Sequence, residues 1–200
     1  MISWVPLVQL GDLALTLPAG AAIAAWLAAW RAWRMAASWS LLFVLGLGLV
    51  GACKIAYMAW GAGWEAASFK APSGHAAGVA AVFPTLFYLL LQRAGARLRQ
   101  AGVGAGLALG ALVAALLVLM HEHSAAEALA GWIIGALVSL AAIAWGPPLP
   151  APRPLPGLAS FALVFAFSAW LMQSAHIGYW MILAARVVSG TKQLFPLSIE

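Results

Sequence analysis

The sequence predicts an all-α membrane protein, a polytopic bundle of about six transmembrane helices. Three observations carry this prediction. Hydrophobic residues make up 65% of the 200 positions and charged residues 8%, too little polarity to cover a water-facing surface. The apolar residues fall into successive runs, each roughly 20 residues long, which is the length that crosses a bilayer. The ten Lys and Arg residues stand in small groups between those runs, the pattern of topology signals and not of a nucleic-acid groove. Residues 1–200 are expected to form a single integral-membrane domain, with membrane lipids and no nucleic acid among its partners.

The first run covers residues 13 to 30, preceded by Asp12 and closed by Arg31 and Arg34, with Pro18 able to kink it. The start, Met1-Ile2-Ser3-Trp4, lacks a positive n-region, so no cleavable signal peptide is expected. The second run, 39 to 60, contains Lys54, which lies roughly 9 Å inside the span at 1.5 Å per residue. A lysine there either faces a polar cavity or snorkels to the interface, and both readings stand at this point. The single Cys53 excludes an intrachain disulfide.

The third run, 75 to 92, contains Pro84 and is followed by Arg93, Arg97 and Arg99. The fourth, 101 to 120, carries Gly106-x-x-x-Gly110. No strand precedes these glycines and no phosphate-loop lysine follows, so they predict close helix packing in lipid. The fifth run spans 124 to 145, and the prolines between Pro147 and Pro156 form a stiff link carrying Arg153. The sixth spans 158 to 175. Residues 179 to 188, with Trp180 and Arg186, read as a short amphipathic helix along the interface, ahead of a loose tail.

Successive spans alternate in direction, which sorts the polar residues by face. Lys54, Lys70, Ser73, His75, His123 and Glu127 gather at one membrane surface. Arg31, Arg34, Arg93, Arg97, Arg99 and Arg153 fall at the other, against Lys70, Arg186 and Lys192 on the first. The positive-inside rule makes the arginine face cytoplasmic. The polar cluster is then expected to face outward, to the periplasm in a bacterial inner membrane.

Two polar knots interrupt the apolar sequence. In Lys70-Ala71-Pro72-Ser73-Gly74-His75 a helix begins with residues suited to an anion, because its first N–H groups are unpaired and glycine permits close approach. Ser73 is equally readable as an N-cap. In His121-Glu122-His123-Ser124-Ala125-Ala126-Glu127, His123 and Glu127 are four apart, so a helix would put them on one face with the carboxylate orienting the imidazole. The same residues also spell a capping box from Ser124 to Glu127. An oriented imidazole can serve as a nucleophile and a second one as an acid.

These residues resemble the type 2 phosphatidic acid phosphatase (PAP2) superfamily of membrane lipid phosphatases, which shares its core with vanadium haloperoxidases. The family shows Lys-x6-Arg-Pro, then Pro-Ser-Gly-His, then Ser-Arg-x5-His-x3-Asp at successive helix ends. Pro72-Ser73-Gly74-His75 matches the second motif fully, His123-x3-Glu127 matches the end of the third with Glu for Asp, and Lys54 fits the start of the first. Ala128-Leu129-Ala130-Gly131-Trp132 is also similar, and the resemblance covers about residues 39 to 145 as a PAP2-like core.

The resemblance implies that His123 attacks phosphorus to form a phosphohistidine, that His75 protonates the leaving group and that Glu127 orients His123. Lys54, Ser73 and Gly74 would bind the phosphate oxygens, and neither a metal nor a cofactor is expected. The activity implied is removal of phosphate from a lipid phosphate or diphosphate at the outer face. The chain departs from the motifs in having Gly61-Ala62 for Arg-Pro and Leu116-Leu117 for Ser-Arg. Removing one transition-state donor typically costs on the order of 100- to 1,000-fold in rate. A catalytically weakened relative that binds lipid head groups or a partner protein is therefore the alternative. Lys70, and a protonated His121, are the nearby candidates to replace the lost charge, with Lys70 folding over the phosphate; a solvated loop lysine is the competing reading. A zinc site built from His75, His121, His123 and Glu127 matches no standard spacing. A transporter would need repeat halves that the sequence lacks.

Overall fold

The computed structural model describes residues 4–146, 154–191 and 193–197. Among them the chain is helical, in the order α1 (Val5–Gln9), α2 (Leu13–Ala29), α3 (Trp33–Trp60), α4 (Gly74–Leu90), α5 (Ala96–Leu119), α6 (Ala125–Trp145), α7 (Pro154–Met172) and α8 (Ile177–Ser189). No strand is present among the described residues. The α3–α4 loop holds a 3-10 turn, Glu65–Ala67, and one isolated bridge between Trp64 and Phe69.

By length and hydropathy α3, α5 and α6 are each able to cross a membrane, and α7 with α8 forms one further candidate bent by 59°. The helices α2 and α4 have 17 residues each, the lower end of the spanning range. Together they fit an integral membrane protein. Large apolar side chains on the outside, such as Leu41, Val44, Leu137, Leu163 and Phe167, are what a lipid-facing surface requires.

The bundle is arranged around α4, which packs against α2, α3, α5 and α6. Small residues make this possible. Gly106 lies against the backbone at Pro84 and Gly110 against Ala80, so α5 approaches α4 closely through its Gly-x-x-x-Gly pair. Pro84 cannot donate to the carbonyl four residues earlier. Ser139 on α6 donates its hydroxyl to that carbonyl, on Ala80, at 2.9 Å. An apolar cluster joins α2 and α3 to α4 and α6, and in it Trp39 is fully buried and donates its indole N–H to the Gly20 carbonyl at 2.9 Å.

Helices and apolar runs do not share all their ends. α3 starts at Trp33 and α5 at Ala96, earlier than the hydrophobic runs do, so Arg34, Arg97 and Arg99 lie on helix. Backbone hydrogen bonding continues past the apolar stretch, and Arg99 stacks over the Tyr88 ring at 5.5 Å. The stretch read as an interfacial helix lies within α8, which buries Ala185 against Met58 and Ala59 of α3. Arg153 and Lys192, counted in the charge argument, lie outside the described residues, as does most of the Pro147 to Pro156 link.

Candidate active site

The mouth of α4 is built by Pro72-Ser73-Gly74-His75. Ser73 is the N-cap, with extended backbone (φ −67°, ψ 120°), and its hydroxyl accepts from the Ala76 N–H at 3.4 Å. Ala71 through Gly74 are buried and His75 is half-buried. A helix start leaves its first N–H groups without intrahelical partners and carries a partial positive charge. Ser73 is thus the N-cap, and that role does not exclude an anion at the same helix mouth.

The turn between α5 and α6 presents the second imidazole. Helix α5 ends with His121 in the left-handed region (φ 59°). The His121 N–H donates to the Val118 carbonyl and the Glu122 N–H to the Leu117 carbonyl, the bonding of a Schellman motif. That turn delivers His123 to the start of α6, where its Nδ1–H donates to Glu127 Oε2 at 2.8 Å. Ser124 caps α6: its hydroxyl accepts from the Glu127 N–H at 3.2 Å, and Oε2 also receives the Ser124 N–H at 3.2 Å. Capping box and oriented imidazole, alternatives in the sequence, coexist on one carboxylate. With the proton on Nδ1, the His123 Nε2 lone pair is free.

Two glycines bring the knots together. Gly131 lies directly on the backbone of Ser73, and Gly135 directly on that of Ala77. A Cβ at either position would overlap a carbonyl oxygen of α4. The contact is sealed by the Ser73 N–H, which donates to the Glu127 carbonyl at 2.9 Å.

Lys54 reaches the same place from α3. Its Nζ is 3.6 Å from where a Cβ on Gly74 would be, so the absence of a side chain at 74 leaves the ammonium room at the mouth of α4. It is also close enough to interact electrostatically with Glu127. Asp12, Lys54 and Glu122 lie close enough to His75 to interact with it electrostatically. Gly11 packs on the His75 backbone, with a hypothetical Cβ 2.7 Å from the His75 carbonyl. Asp12 and Glu122 were not singled out for the site by sequence reasoning. The available signal was that the chain holds just five acidic residues, and one of them immediately precedes a span.

The Lys70 ammonium donates to the Leu197 carbonyl at 3.4 Å and sits 5.9 Å from the Tyr57 ring centre, contacts that the reading of Lys70 as folded over the phosphate did not foresee. What residue 70 contributes to the site is its backbone N–H, which donates to Glu127 Oε1 at 2.8 Å. His121 is exposed on its turn. Gly61 and Leu117, where the resemblance leads one to expect arginines, each have a packing role. Gly61 is the left-handed C-cap of α3 (φ 64°), with the Phe195 ring 3.0 Å from a hypothetical Cβ. Leu117 is 2% exposed in an apolar cluster with Ala76, Val79 and Ala128. Among the described residues no three His, Cys, Asp or Glu side chains converge as metal ligands.

The sequence model of the PAP2 superfamily matches residues 52–150, which contain all the site residues from Lys54 to Glu127. An uncharacterized 22.5 kDa protein in the cps region of Klebsiella pneumoniae is 36% identical over 136 residues, a match covering 68% of this chain and 65% of that protein. The chain thus spans less than two thirds of that relative's length. No solved structure matches it. The match over the two imidazole-bearing turns and the helices that join them leads to one conclusion: the chain belongs to the PAP2 superfamily.

Proposed function

We propose that this protein removes phosphate from a lipid phosphate or diphosphate at the outer, periplasmic face of a bacterial inner membrane, through a phosphohistidine on His123. The observation that carries the reading is the Glu127-held His123, its Nδ1–H bonded at 2.8 Å, beside the open N-terminus of α4. His123 Nε2 attacks phosphorus while the bond to the leaving alcohol, or leaving phosphate, breaks. His75 gives that oxygen its proton. A water then attacks the phosphohistidine, losing its proton to His75, and inorganic phosphate leaves with His123 restored. Lys54, the Ser73 hydroxyl and the Gly74 N–H offset the charge on the phosphoryl oxygens.

The lipid character is supported by a cavity of about 370 Å³ lined by Lys54 and Gly74 together with apolar side chains including Leu17, Phe43, Leu47 and Val50. A phosphate at the helix mouth would leave its hydrocarbon chain in this groove. Lys54→Met is expected to lower turnover by about 100-fold or more, as for loss of a transition-state donor, measured as kcat on a lipid phosphate in detergent. An unchanged kcat would return Lys54 to the snorkelling reading.

Orientation follows from the arginine-bearing ends. Reporter fusions after Arg34 and after Arg99 are expected to read cytoplasmic. An external reading at either position would move the site to the inner face.

The second reading, a weakened relative that binds lipid head groups or a partner protein, is favoured by the glycine and buried leucine at the two arginine positions. A phosphate-release assay with the purified protein over a panel of lipid monophosphates and diphosphates separates the two. Release from at least one lipid supports the phosphatase; binding without release supports the relative.

A further inference from the structure

We propose that residues 193–197 form a strap that positions the nucleophile, acting through Lys70 on Glu127; this rests on the reading of His123 as nucleophile. The Glu127 carboxylate receives three described hydrogen bonds. The His123 Nδ1–H and the Ser124 N–H come from its own turn and both reach Oε2. The Lys70 N–H comes from the α3–α4 loop and reaches Oε1. Donors on the same turn hold the carboxylate relative to that turn. The Lys70 N–H holds it relative to the rest of the bundle, so the aim of His123 depends on where residue 70 is fixed.

The loop that carries Lys70 has little regular structure of its own. It contains a single 3-10 turn, a left-handed Ser68 (φ 47°) and the isolated Trp64–Phe69 bridge. The C-terminal segment secures both of its ends. At the start, the Phe195 N–H donates to the Met58 carbonyl at 2.9 Å, and the Phe195 ring covers Gly61 and lies 6.2 Å from the Tyr57 ring. At the end, the Lys70 ammonium donates to the Leu197 carbonyl. Leu194 and Leu197 pack on Met58, Ala59 and Ala185, which ties the strap to α3 and α8. Gly61 is also the position of the first missing motif arginine. The strap crosses the space that such a side chain would enter, and joins the site by a route that needs no guanidinium.

The test uses the full-length protein and the variants Phe195→Ala, Phe195→Tyr and Lys70→Met. In Phe195→Ala, amide exchange in the peptide holding Lys70 is expected to rise about tenfold while peptides of α4 and α5 stay protected, because the loop opens without global unfolding. The ring nitrogens of His123, assigned by comparison with His123→Gln in labelled protein, should lose their single Nδ1–H tautomer. The kcat should fall about tenfold with KM within about twofold, as expected for misplacement of a reacting group and not lost binding. Phe195→Tyr should restore all three readings. Lys70→Met keeps the Phe195 packing and should move them in the same direction by about threefold, which keeps the test available if Phe195→Ala does not fold. Unchanged exchange at Lys70, or an unchanged His123 tautomer, would overturn the strap. Absence of turnover in the wild type would count against the phosphatase reading, while exchange and ring signals would still decide the strap.

Discussion

His123→Gln is expected to lower phosphate release by about 10,000-fold or more, because no other group can form the covalent intermediate and members of a catalytic set act as a unit. Glutamine keeps a polar side chain of similar reach, so the turn held by the His121 and Glu122 N–H groups should survive. Kinetics with a lipid phosphate in detergent, alongside a melting curve, would check this. Turnover near the wild-type level in a folded variant would remove the assigned nucleophile.

Gly131→Val is expected to damage both fold and activity. A Cβ at 131 meets the carbonyl oxygen of Ser73, and backbone in a buried helix crossing cannot yield as a flexible side chain can. Overpacking of this kind costs about 1–3 kcal/mol. The displaced contact carries the Ser73 N–H to Glu127 carbonyl bond, so the two imidazoles would separate. A shift near 1 Å is worth about 100-fold in rate. Gly104, also on a helix and with nothing within 4 Å of a hypothetical Cβ, supplies the control: Gly104→Ala should leave activity unchanged. If Gly131→Val matches Gly104→Ala in stability and rate, α6 does not position the site as described.

Much of the fold was legible because hydropathy alone separates span from connection. Runs at 13 to 30, 75 to 92 and 124 to 145 lie close to α2, α4 and α6. Less legible were the ends, since α3 and α5 continue into arginine-bearing sequence where backbone bonding, not hydrophobicity, decides. The juxtaposition of Lys54, His75, His123 and Glu127 at one end of the bundle followed from alternation of direction. The direction of the Lys70 side chain did not, because nothing in the loop sequence shows that Leu197, more than a hundred residues later, offers it a carbonyl. Nor did the meaning of Gly61 and Leu117. A left-handed cap and a packed leucine are tertiary facts, and from sequence alone both positions registered just as missing charge. Asp12 was hidden for a similar reason, as its nearness to His75 depends on the contact of Gly11, in the turn between α1 and α2, with the start of α4.

In the proposed reaction a lipid phosphate passes its phosphoryl group to His123. Acid-free rapid quenching with a phosphate-labelled lipid, followed by peptide mapping, tests it most directly. Acid-labile label is expected on the peptide that spans His121 to Glu127, lost in His123→Gln and cleared as inorganic phosphate appears. Label on another residue, or phosphate release at full rate with no label on that peptide at any time, would contradict it.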